Sequence, residues 1–253
     1  MTRALIVNAD DFGRSHGINR GVAVAHDQGI VTSASVLVRW PAAVEAAELS
    51  RERPDLGVGL HLDLSEWLYR DGEWRLVYEV VPDDRRAVAA EVEAQLARFQ
   101  DLFGRAPTHL DSHQHVHRCD PARSTLIAAG RALGIPVRDC TPGIAYRGDF
   151  YGQTGKGEPL ADAITLDSLL RLLRLLPPGI TELGCHPAVQ PEPGSSYATE
   201  RLRELQVLCD PGARAAIEDG GIELRSFAGV GGASAGDTLA ISSSRSARER
   251  GAS

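Results

Sequence analysis

An α/β fold of parallel strands wrapped by helices is what this sequence predicts, on three observations. Short apolar runs alternate with helix-period segments along most of the chain, the order expected of β-α units. The length of 253 residues suits one large domain, and α/β barrels commonly use it as one. Groups able to carry chemistry fall at the carboxyl ends of the predicted strands, where such sheets place their sites.

The elements follow in order. Leu5 to Asn8 is apolar enough for a buried first strand, and residues 17–28 look helical. Ser33 to Val38, rich in small and β-branched residues, reads as a second strand. Pro41 opens an alanine-rich helix that should end before Pro54. Leu56 to Leu62 is a third strand, followed by a loop carrying Trp67, Tyr69 and Trp74. From Asp83 to Phe103 an amphipathic helix repeats Val88, Val92, Leu96, Phe99 and Phe103 at helical spacing, and Gly104 is its stop signal. A histidine-rich strand comes next, then a helix from Pro121 to Leu133 and a short strand from Ile135 to Arg138. Residues 143–161 are glycine-rich and read as a loop. Leu166 to Leu176 is a leucine-dense helix closed by Pro177 and Pro178, and Ile180 to Cys185 is a strand. Helices over 199–208 and 211–219 precede a last strand from Ile222 to Arg225. From Gly229 onward Gly, Ala, Ser and Arg dominate, so residues 1–232 are expected to form the folded domain and 233–253 a disordered tail.

With 43% hydrophobic and 24% charged residues the composition is ordinary for a globular protein. A net charge of −7 argues against a sequence-independent grip on nucleic acid. Cys119, Cys140, Cys185 and Cys209 are scattered, which disfavours both a disulfide framework and a thiolate zinc knuckle. The first apolar run is too short for a signal peptide, and no stretch approaches the about 18 apolar residues of a membrane span. The expectation is a cytoplasmic protein.

The most specific signal is Thr108-His-Leu-Asp-Ser-His-Gln-His-Val-His117. Polar residues stand at every second position: His109, Asp111, His113, His115 and His117. In a strand alternate side chains share a face, so at least the first part of the run would stack imidazoles and a carboxylate. That is a ligand set for a divalent metal, although a hydrogen-bonded polar strand inside a barrel is the structural alternative. Asp10 and Asp11 end the first strand, just before Phe12 and Gly13. Adjacent carboxylates repel unless a cation or hydrogen bonds hold them; the chain is expected to bend here with the help of Gly13, and a helix cap is the plainer reading. His61 ends the third strand and His186 follows the strand at 180–185, each equally a core or loop histidine when taken alone. Their convergence at strand ends makes the chain a candidate metal-dependent hydrolase.

These strings resemble the YdjC-like carbohydrate deacetylases, which include chitooligosaccharide deacetylases and a deacetylase linked to hopanoid synthesis. Asn8 to Gly13 matches the family's N-A-D-D-F-G opening, Gly59-Leu60-His61 its G-[LM]-H, and Thr108 to His117 its T-H-L-D-S-H-[HQ]-H-V-H. Glu182 to Pro187 is similar to its E-L-x-C-H-P. The likeness covers about residues 1–227. It implies a distorted (β/α) barrel, a divalent metal (Mg2+ or Zn2+) held by Asp11, His61 and His113, Asp10 as general base and His186 as general acid. It also implies an N-acetylated sugar as substrate, acetate as product, and a homodimer. His115 and His117 have family matches and are expected to support the site or touch substrate. Asp111 is the candidate acceptor for the second N–H of a ligating histidine. Trp67 and its aromatic neighbours could stack on a sugar, or merely pack on one another. The segment Leu62 to Asp84 is shorter than in the chitooligosaccharide enzymes.

Two other readings compete. Hydrolysis of a phosphoester would need cations for the phosphate, for which Arg14 and Arg138 are available; Arg138 is otherwise expected to support the site or contact substrate. A non-catalytic sugar- or metal-binding module would need neither Asp10 nor His186. Asp11-Phe12-Gly13 lacks the other parts of a protein kinase, and Gly155-Lys156-Gly157 is not a P-loop.

Overall fold

The computed structural model describes residues 2–192 and 194–230. The expected tail, 233–253, lies outside the described residues, and so does the side chain of Tyr69. The chain begins β1 (Arg3–Phe12), α1 (His16–Asp27), β2 (Ser33–Val36), α2 (Ala43–Arg51), β3 (Gly57–Leu62). It continues with β4 (Ser65–Arg70), β5 (Glu73–Glu79), α3 (Arg85–Phe103), β6 (Leu110–Ser112) and α4 (Ala122–Leu133). It ends with β7 (Ile144–Arg147), α5 (Leu166–Arg174), β8 (Gly179–Cys185), α6 (Glu200–Leu208), α7 (Pro211–Asp219) and β9 (Ile222–Leu224).

Seven strands form one sheet in the order β6-β3-β2-β1-β8-β7, with β9 added against β1, and every pairing is parallel. Along one side β1 pairs with β8 over Arg3–Ala9; along the other it meets β9 at Arg3–Leu5 and β2 from Asn8 on. Helices cover the sheet, so β1 to β3 are buried on both faces and read as nearly continuous apolar runs.

The sheet curls toward closure. Beyond β6 it continues through a single bridge, Leu110 to Val137, with Arg138 N donating to Leu110 O. From Arg138 the chain needs only six residues to reach β7 at the opposite edge, a reach of at most about 21 Å. The two edges therefore face each other across a gap, as in a distorted barrel. The expected strand at 135–138 is this one bridge. The expected loop at 143–161 is corrected, since it contains β7; its isoleucine and tyrosine supply a short edge strand that the surrounding glycines obscure.

The expected loop after His61 is corrected too. β4 and β5 form a two-stranded antiparallel hairpin. Its turn is Asp71-Gly72, with φ of 56° and 84°, the two-residue Asp-Gly loop that fits the twist of a hairpin. Apart from the histidine-rich run, the other elements match their expectations within a few residues. Asp84 caps α3 through its side chain and Gly104, at φ 66°, ends it. The four cysteines are free. Among the described residues no helix is long and apolar enough to cross a membrane.

Candidate active site

The site begins with a break in β1. A regular strand would send Asp10 and Asp11 to opposite faces. Asp11 instead adopts φ 65° and the register with β2 slips between Ala9 and Phe12. Both carboxylates thereby reach one cavity of about 560 Å³ at the carboxyl end of the barrel. Gly13 completes the bend at φ 87°, and a Cβ there would lie 2.8 Å from Val36 Cγ2. The expected bend with Gly13 is present.

β3 and β6 pair His61 with Asp111. His61 Nδ1 lies 2.7 Å from Asp111 Oδ1 and 3.2 Å from Ser35 Oγ. That leaves Nε2 facing Asp11 Oδ1 at 3.5 Å, and His113 Nδ1 is 3.2 Å from the same oxygen. One ligand atom from each of Asp11, His61 and His113 lies within 4.8 Å of the others. Asp11 Oδ1 is buried and no well-aligned hydrogen bond reaches it; the two imidazole nitrogens face it instead. Two imidazole nitrogens around an orphaned carboxylate oxygen fit a divalent cation.

The electrostatics agree. Burial disfavours charge on His113, but Asp11 and Glu66 outweigh it and push its pKa up to about 10. Burial also opposes a proton on His61, and Asp111 beside it raises the pKa nonetheless. Burial would raise Asp11, yet Arg201 and the two imidazoles hold it well below the usual carboxylate range. The field at this point favours positive charge. Asp10, His61 and Asp111 also lie within 4.8 Å of one another, but Arg138 already fills that space.

Arg138 is fully buried and reaches across the barrel interior. It donates to both oxygens of Asp10 at 2.6 and 2.7 Å and to Glu182 at 2.7 Å, and lies 2.8 Å from Asp111. Burial raises the Asp10 carboxyl, and Arg138 more than reverses this, leaving it ionised. Arg138 supports Asp10 and does not line the cavity. Arg14 is likewise committed, gripping Glu66 at 2.5 and 3.1 Å. Both arginines considered for a phosphate are therefore already paired.

His186 follows β8 and closes the other side. Its Nε2 is 3.9 Å from Asp10 Oδ2, and its backbone N–H donates to Glu204 at 2.5 Å. Tyr197 donates its hydroxyl to the same carboxyl and stacks on Tyr151, whose ring meets His186 edge-on. Burial pushes His186 down to about 4, so it rests neutral. Burial pushes Glu204 up to about 8, against its hydrogen bonds from Tyr197 and the His186 backbone.

The histidine run divides at Ser112. His109 and Asp111 point into the barrel, as period two requires, and His113 emerges at its mouth. There a 3-10 segment, His113–Arg118, takes over, with Gln114 and His115 at φ 53° and 54°. The expected shared face does not extend beyond His113. His115 lines the cavity, but His117 is buried beneath it with Nδ1 2.6 Å from Ser112 Oγ. His109 is buried, stacks on Phe227 with centroids 4.0 Å apart, and does not line the cavity. Trp67 and Trp74 line the cavity from the hairpin. Sequence reasoning missed Glu66, whose Oε2 is 3.4 Å from His113 Nε2, and also Arg201, Glu182 and Glu204. Glu66 sits in the stretch read as a loop and Arg201 and Glu204 in a helix with no pattern that marks them, while Glu182 opens the Glu182–Pro187 string but was given no role.

Comparison with known proteins agrees with the resemblance. Residues 4–219 match the family model for YdjC-like protein. A chitooligosaccharide deacetylase of Klebsiella pneumoniae (strain 342) is 38% identical over 261 residues, covering 91% of this chain and 100% of that protein. A carbohydrate deacetylase of Geobacillus stearothermophilus is 35% identical over 249 residues, covering 90% and 98%. Among solved structures, a protein of Enterococcus faecalis V583 provisionally named a cellobiose-phosphate cleavage protein superposes with a TM-score of 0.75. It is 26% identical, over 91% of this chain and 100% of that one.

Proposed function

Because the chain belongs to the YdjC-like protein family, we propose that it removes the acetyl group from an N-acetylated amino sugar or oligosaccharide and releases acetate. Relatives named carbohydrate and chitooligosaccharide deacetylases support this substrate class. The observation that carries the reading is Asp11 Oδ1, buried without a donor between His61 Nε2 and His113 Nδ1 on the wall of a sugar-sized cavity.

Asp11, His61 and His113 would hold a divalent cation, zinc or magnesium, of which zinc suits the mixed nitrogen and oxygen donors better. Such a cation, when bound, supplies Lewis acidity toward an acyl oxygen and toward water. Asp10 accepts the proton of the attacking water. Arg138 keeps that carboxylate ionised and aimed, at some cost in basicity, a cost reduced because its charge is shared with Asp111 and Glu182. His186 rests neutral and cannot begin as an acid. It can take a proton over the 3.9 Å from Asp10 and pass it to the departing nitrogen. The C–N bond breaks, the new C–O bond completes acetate, and the proton leaves on the amine. Asp111 fixes the tautomer of His61 by accepting from Nδ1. Trp67 offers an aromatic face to the saccharide from the hairpin, and His115 a polar contact.

The test is acetate release from a panel of N-acetylated oligosaccharides, before and after chelation and with Zn2+ or Mg2+ restored. Acetate release that a chelator stops and metal restores is expected. Turnover indifferent to chelation, or release of phosphate from phosphorylated sugars without any acetate, would refute the reading.

A further inference from the structure

We propose that Arg201 is a positioning residue for the cation site: it occupies Asp11 Oδ2 and so leaves Oδ1 as the single carboxylate ligand atom. This rests on Asp11, His61 and His113 being the ligands.

Arg201 stands at the start of α6 and is 4% exposed. Its Nη2 lies 2.5 Å from Asp11 Oδ2, and its Nε donates to Tyr197 O at 3.1 Å. The second bond fixes the plane of the guanidinium, so the first fixes the rotation of the Asp11 carboxylate. The two oxygens of Asp11 thus have separate fates. Oδ2 is bound by Arg201, while Oδ1 has no donor and faces both imidazoles. A carboxylate held this way can give a cation one oxygen and cannot chelate it with two. Positions around the cation then stay open for water and an acyl oxygen, which is the pattern of a catalytic rather than a structural centre.

A role in folding alone fits poorly. Nη1 of Arg201 is buried without a partner beside the cavity, and a guanidinium chosen only to tie α6 to β1 would satisfy its donors. Charge alone makes the opposite prediction. A guanidinium next to a cation repels it, so its removal would tighten metal binding if Coulomb repulsion dominated. Positioning predicts that removal weakens binding, because the freed carboxylate can rotate.

Metal-stripped full-length protein is titrated with Zn2+ by calorimetry, comparing wild type, R201Q, R201K and D11N, with circular dichroism confirming the fold of each. Wild type should bind one Zn2+ and D11N should not. R201Q should bind roughly 10- to 100-fold more weakly, and R201K, which keeps the charge on a single donor, should fall between. In Co2+-loaded R201Q the visible absorption should change, because Asp11 no longer presents Oδ1 to the cation at a fixed angle. If R201Q does not fold, R201K carries the same comparison. Equal or tighter Zn2+ binding, or an unchanged cobalt spectrum, overturns the proposal while leaving the ligand set standing. Failure of wild type to bind, or binding that survives D11N, instead removes the ligand set and this proposal with it.

Discussion

Asp10 and Asp11 are neighbours in sequence with the same side chain, yet their surroundings differ. Asp10 is gripped on both oxygens by Arg138 and has His186 nearby; Asp11 has one oxygen tied to Arg201 and one with no donor. Replacing His113 by alanine should abolish metal binding, read by metal analysis of the purified protein, and with it acetate release. Its side chain is 18% exposed at the mouth of the barrel, so the melting temperature should change little. Full deacetylation by that variant would defeat the assignment. Asp10→Asn should keep the metal and lower kcat by about 10²- to 10⁴-fold, the usual contribution of a positioned base. A variant that lost its metal would instead make Asp10 a ligand. These two carboxylates, His61, His113 and His186 were legible as candidates because such groups at strand ends have few purely structural uses. Arg201 was not, because nothing in Glu-Arg-Leu-Arg-Glu tells a buried arginine from a solvated one.

The elements that frame the site differ in how plainly they announce themselves. The hairpin had its signal in Asp71-Gly72 between aromatic-rich runs, and reading that stretch as a loop overlooked it. β7 carried almost no signal, since an edge strand of four residues is decided by the partner it finds, here β8. α6 has a regular helical pattern, but its buried face carries Arg201 and Glu204 rather than apolar side chains alone. Glu204 allows a test of that packing. Burial pushes its carboxyl from the ordinary 4.5 up to about 8, so the fold retains a proton there that the unfolded chain releases. The stabilisation from Glu204 is complete below the unfolded value and is lost as pH rises through the folded one. Glu204→Gln cannot titrate. The melting temperature of the variant relative to wild type should therefore rise between about pH 5 and pH 9. Parallel melting curves across that range would show that Glu204 is not held protonated.

At the scale of the whole molecule, Arg138 joins three strands through the barrel interior by pairing with Asp10 of β1, Asp111 of β6 and Glu182 of β8. Burial pushes Glu182 up to about 7 even beside this guanidinium, a measure of how many carboxylates the interior holds. Arg138→Met would leave them without their cation. Breaking a buried ion pair costs about 3–5 kcal/mol, so the urea midpoint should fall accordingly, and an unchanged midpoint would mean the carboxylates simply take up protons. The interior also depends on Gly59, where an added Cβ would lie 2.4 Å from the His109 ring. The sequence by itself determined the β-α alternation, the parallel sheet, and the polar groups at its carboxyl end, because periodicity and strand termini are local properties of the chain. Tertiary structure alone decided which oxygen of Asp11 is free, where the histidine run leaves its strand, and which arginines and glutamates are buried. Those outcomes depend on contacts between residues as far apart as Asp11 and Arg201, and no local pattern encodes a contact that exists only once the barrel has curled.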